Sequence, residues 1–194
     1  MDRGIIGIDE AGRGPLAGPL SVGAVCLFDE YALDYLSGVT DSKILTPEAR
    51  MMWKKRIVRL QEEGKLSFSV TFVAPGRIDS WGMTKSLIYA VEKNLKNLNT
   101  AYDTPLFLDG SLYAPHIYTN QATIIRGDLT EPIISAASII AKVYRDEYMG
   151  RIAPMYPQYC FEVHKGYGTE MHRDAIEKYG LCPIHRRSFC KRYI

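Results

Sequence analysis

A chain of 194 residues with 46% hydrophobic and 24% charged residues has the balance of an ordinary globular protein, which excludes a disordered polymer. No apolar stretch approaches the ~20 residues that cross a bilayer, and the first residues lack the basic flank and hydrophobic run of a signal peptide, so a cytoplasmic protein without a membrane segment is expected. The length fits one domain, 1–194, with a single core, and the formal net charge of +2 decides little by itself.

In chain order, GIIGID (4–9) and LSVGAVCLF (20–28) read as strands joined by a glycine-rich turn. Thr46-Pro47 supplies an N-cap and first helical position, and Gly64 a stop, for a helix of about 16 residues. LSFSVTFV (66–73) alternates Leu66, Phe68, Val70 and Phe72 with small polar residues, the pattern of a half-buried strand, so the first three strands suggest an antiparallel meander. Met83, Leu87, Val91 and Leu95 recur every four residues and mark a buried helical stripe.

PLFLDG (105–110) and ATIIRGD (122–128) are short apolar runs that each end in an aspartate, read as buried strands with functional carboxyl ends. ISAASIIAKVYRDEYM lies in a helix-like stretch from Glu131 to about Gly150, rich in small residues that permit close packing on a sheet. Thr169–Tyr179 reads as a helix closed by Gly180. The fold class is α/β, with a mixed sheet and no internal repeat or linker.

Gly12-Arg13-Gly14-Pro15-Leu16-Ala17 matches the G-x-G-x-x-G/A dinucleotide fingerprint and follows a strand. That site requires a helix opening at the turn and no nearby negative charge. Here a β-rich segment with Pro15 and Pro19 follows, and Asp9 and Glu10 precede. Adjacent carboxylates suit a hard divalent cation better. Because neighbours on a regular strand point to opposite faces, Asp9 and Glu10 serve one site only if the strand twists or ends, and Gly12 supplies that break. Asp109 and Asp128 add two carboxylates at strand ends. Each alone reads equally well as a turn or cap residue, but four at one sheet edge repel unless a metal joins them.

Cys26, Cys160, Cys182 and Cys190 lack paired CxxC spacing, and reduced thiols are expected. Cys160-x3-His164 and Cys182-x2-His185 are each within ligand reach, so zinc is an alternative, disfavoured because structural zinc pairs are tighter and more regular. HRRSFCKRYI (185–194) carries Arg186, Arg187, Lys191 and Arg192 without an acidic side chain, and residues 43–65 add Arg50, Lys54, Lys55, Arg56 and Arg59. Two basic stretches are compatible with a polyanion, or equally with solvated helix faces.

Several motifs in register carry a family resemblance: GIDEAGRGPLAGP (7–19), DSK (41–43), LDG (108–110), GD (127–128), SAASIIAKVYRD (135–146), HKGYGT (164–169) and HRRSF (185–189). Together they resemble ribonuclease HII. The resemblance implies a ribonuclease H-like fold, a mixed sheet flanked by helices with a short C-terminal helical segment for substrate, and a monomer as the acting unit. It implies hydrolysis of the RNA strand of RNA/DNA hybrids and cleavage 5′ of a single ribonucleotide in duplex DNA, leaving 3′-hydroxyl and 5′-phosphate ends. By motif match, Asp9, Glu10, Asp109 and Asp128 form the catalytic metal-binding set for two divalent ions, Mg²⁺ or Mn²⁺, with Asp9 bridging both.

The same resemblance turns Gly12, Arg13 and Gly14 toward the ribose 2′-hydroxyl, where glycines admit close backbone approach, and sets Tyr167 against the sugar at the junction. Without it, Tyr167 reads as an ordinary loop or core aromatic. Ser42, Lys43, Lys142, Arg186 and Arg187 are the expected phosphate contacts. Ser135, Ser138, Lys142 and Arg145 share one helix face, and a solvated polar face is the competing reading. SWGMT (80–84) departs from the asparagine-containing segment of many relatives. Only CKRYI follows HRRSF, so no longer C-terminal clamp is expected. A dinucleotide-dependent oxidoreductase built on the Gly12–Ala17 turn, and a non-enzymatic nucleic-acid-binding module, are the two rivals.

Overall fold

A computed structural model describes residues 4–28, 30–40, 42 and 44–193. Lys43 therefore lies outside the described residues. Five strands form one sheet in the order β3-β2-β1-β4-β5, where β1 is Ile5–Ala11, β2 Leu20–Leu27, β3 Leu66–Val73, β4 Leu106–Asp109 and β5 Gln121–Ile124. The expected antiparallel meander is β1–β2–β3; β4 then lies parallel to β1, and β5 parallel to β4. Three parallel strands thus deliver their carboxyl ends to one edge, as in other α/β sheets that bind ligands there.

Helix α1, Pro47–Glu62, has the predicted length, with the Thr46 hydroxyl accepting the Ala49 N–H at 3.2 Å. Helix α2, Pro75–Asn97, covers the face carrying Ile6, Ile8, Leu20, Val22 and Leu108, and is interrupted at Gly82 (φ +76°), within the SWGMT departure. Helix α4, Pro132–Ile152, covers the opposite face with α1 and puts Ile133, Ile134, Ala136, Ala137 and Ile140 in contact with Val25 and Leu27. Each fully buried isoleucine there contributes roughly 1.5–3 kcal/mol.

Two glycines set how deeply α4 sits. A Cβ on Gly7 would fall 2.4 Å from the Ile133 carbonyl oxygen, and one on Gly23 would fall 2.5 Å from that of Ala137. The helix backbone therefore rests directly on β1 and β2, which accounts for its small residues. The competing reading of its polar face as solvated is overturned: Ser135, Ser138 and Arg145 are buried.

Strand β3 departs from the half-buried pattern. Ser69 and Thr71 are buried because α2 places Asn94 over them. Its Oδ1 accepts both hydroxyls at 2.9 and 2.7 Å, and its Nδ2 donates to the Val22 carbonyl at 2.9 Å. The alternate face is covered as well, with Phe68 and Phe72 packed on Tyr144 and Tyr148 of α4. Strand β5 ends at Ile124, so Asp128 is not at a strand end. It sits in a one-turn helix, α3 (Gly127–Thr130), after a left-handed Arg126 (φ +56°).

The C-terminal part, with α5 (Phe161–His164) and α6 (Glu170–Tyr179), forms its own cluster around Tyr159, Phe161 and Ile176. Three buried histidines run through it. The Cys182 N–H donates to His185 Nδ1 at 2.9 Å, His185 Nε2 meets His172 Nε2 at 3.0 Å, and His172 Nδ1 meets the Tyr167 carbonyl at 2.9 Å. One neutral tautomer set satisfies the whole chain: His185 donates from Nε2 and His172 from Nδ1. The zinc alternative is overturned by the same geometry. Both ring nitrogens of His164 are taken by backbone groups, Cys160 Sγ lies near the Pro157 carbonyl, and all four thiols are free.

Asn94→Ala takes from the Ser69 and Thr71 hydroxyls their shared acceptor and removes the bond to the Val22 carbonyl, and lowers stability by about 2–4 kcal/mol, read as a shift of the urea midpoint. Burial holds His172 and His185 down at about 4, below their ordinary 6.5. The unfolded chain therefore takes up protons that the fold refuses, and stability falls as pH drops from 6.5 toward 4, by at most about 1.4 kcal/mol per pH unit for each histidine. Urea midpoints across that window test this, and a His172→Phe, His185→Phe variant shows the shallower dependence.

Candidate metal and nucleic-acid site

The register that pairs Ile8 with Leu108 sets Asp9 beside Asp109 on the α4 face of the sheet, at the carboxyl ends of β1 and β4. Asp128 joins them from α3, which is anchored twice: the Ser135 hydroxyl donates to the Asp128 carbonyl at 2.8 Å, and the Asp128 N–H donates to Asp109 Oδ1 at 3.3 Å. One carboxylate oxygen from each of the three lies within 4.8 Å of the others. Among the described residues this is the group of acidic, histidine or cysteine side chains that converges as metal ligands do.

Asp9 is the most enclosed of the three, at 3% exposure. Its Oδ1 accepts the Glu10 N–H at 2.7 Å, whereas its Oδ2 is buried with no hydrogen-bond partner. Burial first, then the charges of Glu10 and Asp109, hold its carboxyl well above the ordinary range, and the Ser138 hydroxyl works in the opposite sense. A buried, unpaired carboxylate oxygen facing two further carboxylates is costly by itself. It becomes favourable with a hard divalent cation, whose ligands are such oxygens. The residues fit a divalent ion.

Glu10 is placed differently from the sequence expectation. Strand β1 does not break at Glu10 but pairs with β2 through Ala11, so the alternation of a regular strand holds and Glu10 points to the other face. It stands outside the converging trio, and its Oε1 lies 3.2 Å from Arg13 Nε. Arg13 also donates to the Ser111 hydroxyl at 3.1 Å, linking the turn after β1 to the loop after β4.

The glycine-rich turn runs directly into β2, with no helix at its exit, so the geometry a dinucleotide pyrophosphate requires is missing. Gly12 adopts φ +89°, and a Cβ there would fall 2.1 Å from Arg145 Nε, whereas Gly14 is exposed and open. Tyr167, 39% exposed, lies beside the turn, its ring centroid 5.5 Å from Lys142 Nζ and 5.5 Å from Arg145 Cζ. Next to it, a groove of about 700 Å³ runs between the start of α1 and α4, lined among others by Arg50, Lys142, Lys165 and Tyr167.

The expected phosphate contacts divide. Arg187 is exposed, its backbone N–H held by Asp79 Oδ2 at 2.9 Å, and Lys142 is half-buried, paired with Asp146 at 2.9 Å. Ser42 is buried with its hydroxyl 2.8 Å from that of Ser138, which removes it from the surface. The reading of Arg186 as a phosphate contact is corrected outright: it is 0% exposed and spends its guanidinium on backbone carbonyls. Arg145 has the same character: it falls within the SAASIIAKVYRD motif and on the Ser135–Ser138–Lys142 face, and neither signal shows that it is buried.

Comparison with known proteins agrees with this arrangement. Residues 6–192 match the sequence model of the family described as Ribonuclease HII. The chain is 40% identical over 188 residues to Ribonuclease HII of Bordetella avium, covering 97% of this chain and 89% of that protein. It is 41% identical over 192 residues to Ribonuclease HII of Caldicellulosiruptor bescii, covering 99% and 89%. The crystal structure of the ribonuclease H2 from Pyrococcus horikoshii OT3 superposes with a TM-score of 0.72 at 28% identity, over 98% of this chain and 96% of that one. For the fold alone, RNase HII in the PCNA:RNase HII complex from Archaeoglobus fulgidus gives a TM-score of 0.77 at 24% identity, over 94% and 93%. A mixed five-stranded sheet, an acidic trio at its edge and a family match over nearly the whole length lead to one conclusion: this chain belongs to the ribonuclease HII family and is a ribonuclease H.

Proposed function

We propose that this enzyme hydrolyses the RNA strand of RNA/DNA hybrids and cuts on the 5′ side of single ribonucleotides embedded in duplex DNA, leaving 3′-hydroxyl and 5′-phosphate ends, with two divalent ions, Mg²⁺ or Mn²⁺. The observation that carries the reading is the convergence of Asp9, Asp109 and Asp128 around a buried carboxylate oxygen that the fold leaves unpaired. Asp9, Asp109 and Asp128 would hold the ions, with Asp9 shared by both; Glu10, the fourth member by motif, stands beside Arg13 on the other face and would join them only by reorienting from it. When bound, such ions supply activation of the attacking water and neutralise charge at the leaving 3′-oxygen.

The chain's own residues do the selecting. Gly12, Arg13 and Gly14 bring backbone close to the sugar, and the open space around Gly14 supports that approach. The 2′-hydroxyl is what distinguishes a ribonucleotide at that point. Tyr167 packs on the sugar at the junction with DNA, and Lys142 and Arg187 take phosphates without sequence preference. The groove beside Tyr167, lined by Arg50, Lys142 and Lys165 and also by Asp146, Glu147 and Glu162, borders the surface on which the duplex backbone would lie.

A DNA duplex bearing one ribonucleotide tests the reading. Cleavage 5′ of that residue with Mg²⁺ or Mn²⁺, none in excess EDTA, and none by Asp9→Asn are the expected results. Activity in EDTA, or full activity of the variant, refutes the mechanism. Thermal melts separate chemistry from folding. Removing a buried charge makes metal-free Asp9→Asn about 1–2 kcal/mol more stable than the parent at neutral pH, and it loses the stabilisation that Mn²⁺ gives the parent.

A further inference from the structure

Beneath the turn that carries Gly12–Gly14 lie two guanidinium groups, Arg145 from α4 and Arg186 from the segment after α6, each 0% exposed. Arg186 donates from Nη2 to the Gly12 carbonyl at 2.6 Å, from Nη1 to that of Arg13 at 2.9 Å and from Nε to that of Gly18 at 3.0 Å. Its backbone N–H adds the Leu16 carbonyl at 2.8 Å. Arg145 donates from Nη2 to the Ala17 carbonyl at 3.2 Å and from Nε to that of Pro19 at 2.9 Å. Six of the eight carbonyls of residues 12–19 are therefore turned inward onto two arginines.

Burying two like charges side by side is unfavourable. Burial pushes Arg186 down to about 9, with Arg145 adding to the effect, and burial likewise lowers Arg145. Such groups persist where each guanidinium nitrogen finds an acceptor, as all three do in both arginines. What they hold here is not only the turn. The remaining Arg145 contact, from Nη1, goes to the Lys165 carbonyl at 3.0 Å, two residues before Tyr167. In the same place the Leu16 and Ala17 N–H groups donate to the Gly166 carbonyl at 2.9 and 3.2 Å. A Cβ on Gly166 (φ +84°) would fall 2.3 Å from the Ala17 carbonyl oxygen, so the two backbones touch. The Tyr167 ring lies 5.5 Å from the Arg145 guanidinium carbon.

Gly12 and Gly14 give the turn no side-chain contacts, and its own tether is Arg13, which reaches Glu10 and Ser111 at the rim. Its shape is imposed from below, by planar forks that each engage three carbonyls. An ammonium is a single point of charge and cannot reproduce that geometry.

We propose that Arg145 and Arg186 are positioning residues for ribonucleotide recognition: together they fix the Gly12–Gly14 turn and Tyr167 in one mutual register, so that a ribose is accepted only where the adjoining phosphodiester meets the acidic trio. This rests on the reading that the turn and Tyr167 face the sugar. A displacement of about 1 Å at such a site costs rate rather than binding.

The test compares the parent enzyme with Arg145→Lys and Arg186→Lys, which keep the charge and lose the fork. The substrate is a duplex with one embedded ribonucleotide, beside an all-DNA duplex. In both variants kcat falls at least tenfold while KM changes less than threefold. Mn²⁺ binding by calorimetry stays within twofold, and amide exchange in residues 12–19 and 165–168 accelerates together. A purely structural role would leave kcat of the folded enzyme unchanged, so kcat within twofold of the parent in both variants overturns the proposal. If the parent itself fails to distinguish the ribonucleotide-bearing duplex from DNA, the underlying reading of the turn falls, a result visible before any variant is made. Should both variants fail to fold, exchange in the parent decides: opening of the two segments at a common rate supports the coupling, and separate rates overturn it.

Discussion

Carboxylates within 4.8 Å of one another resist being brought together, and much of this structure serves to hold them there. At that separation a pair of full charges costs about 3 kcal/mol for an effective dielectric near 20. The fold meets this cost with backbone geometry that the side chains cannot relax. Parallel pairing of β1 with β4 fixes Asp9 against Asp109, and the Asp128–Ser135 bond ties α3 to the first turn of α4. Helix α4 in turn is held by contact with the sheet at Gly7 and Gly23. The stress is concentrated on Asp9, whose raised proton affinity and unpaired oxygen describe a site shaped for a cation.

Beside this concentration of negative charge, the fold buries an equal oddity of the opposite sign. Arg145 and Arg186 do not pair with the acidic trio; their donors end on backbone carbonyls, five of them in residues 12–19 and one at Lys165. The turn thus has anions before it and cations beneath it, and its peptide groups are oriented by the latter. The histidine chain under Tyr167 continues the same logic with neutral groups, because it accepts no further proton without losing a hydrogen bond.

The secondary structure was legible to a large degree. Strands β1, β2, β3 and β4 and helices α1, α4 and α6 lie where apolar period, Thr-Pro caps and closing glycines put them. These signals are local, and local chemistry decides them. The failures share a cause. Ser69 and Thr71 look like solvent-facing positions until Asn94, some 25 residues away, covers them. Asp128 looks like a strand end until Arg126 turns the chain into α3. Gly7 and Gly23 look incidental until a helix from residues 132–152 rests on them.

By itself the sequence determined the candidates for the chemistry, because Asp9, Asp109, Asp128 and the Gly12–Gly14 turn sit in motifs whose order and spacing are written along the chain. Tertiary structure alone decided which of them meet. Glu10 follows Asp9 in sequence yet faces away, since β1 stays regular through Ala11. Arg186 and Arg187 are adjacent and identical, yet one is fully buried under the turn and the other is exposed. A charge is visible in a sequence. Its surroundings are not, because they are assembled from segments more than a hundred residues apart, and those surroundings made Arg186 a buried support of the Gly12–Gly18 backbone rather than a surface charge.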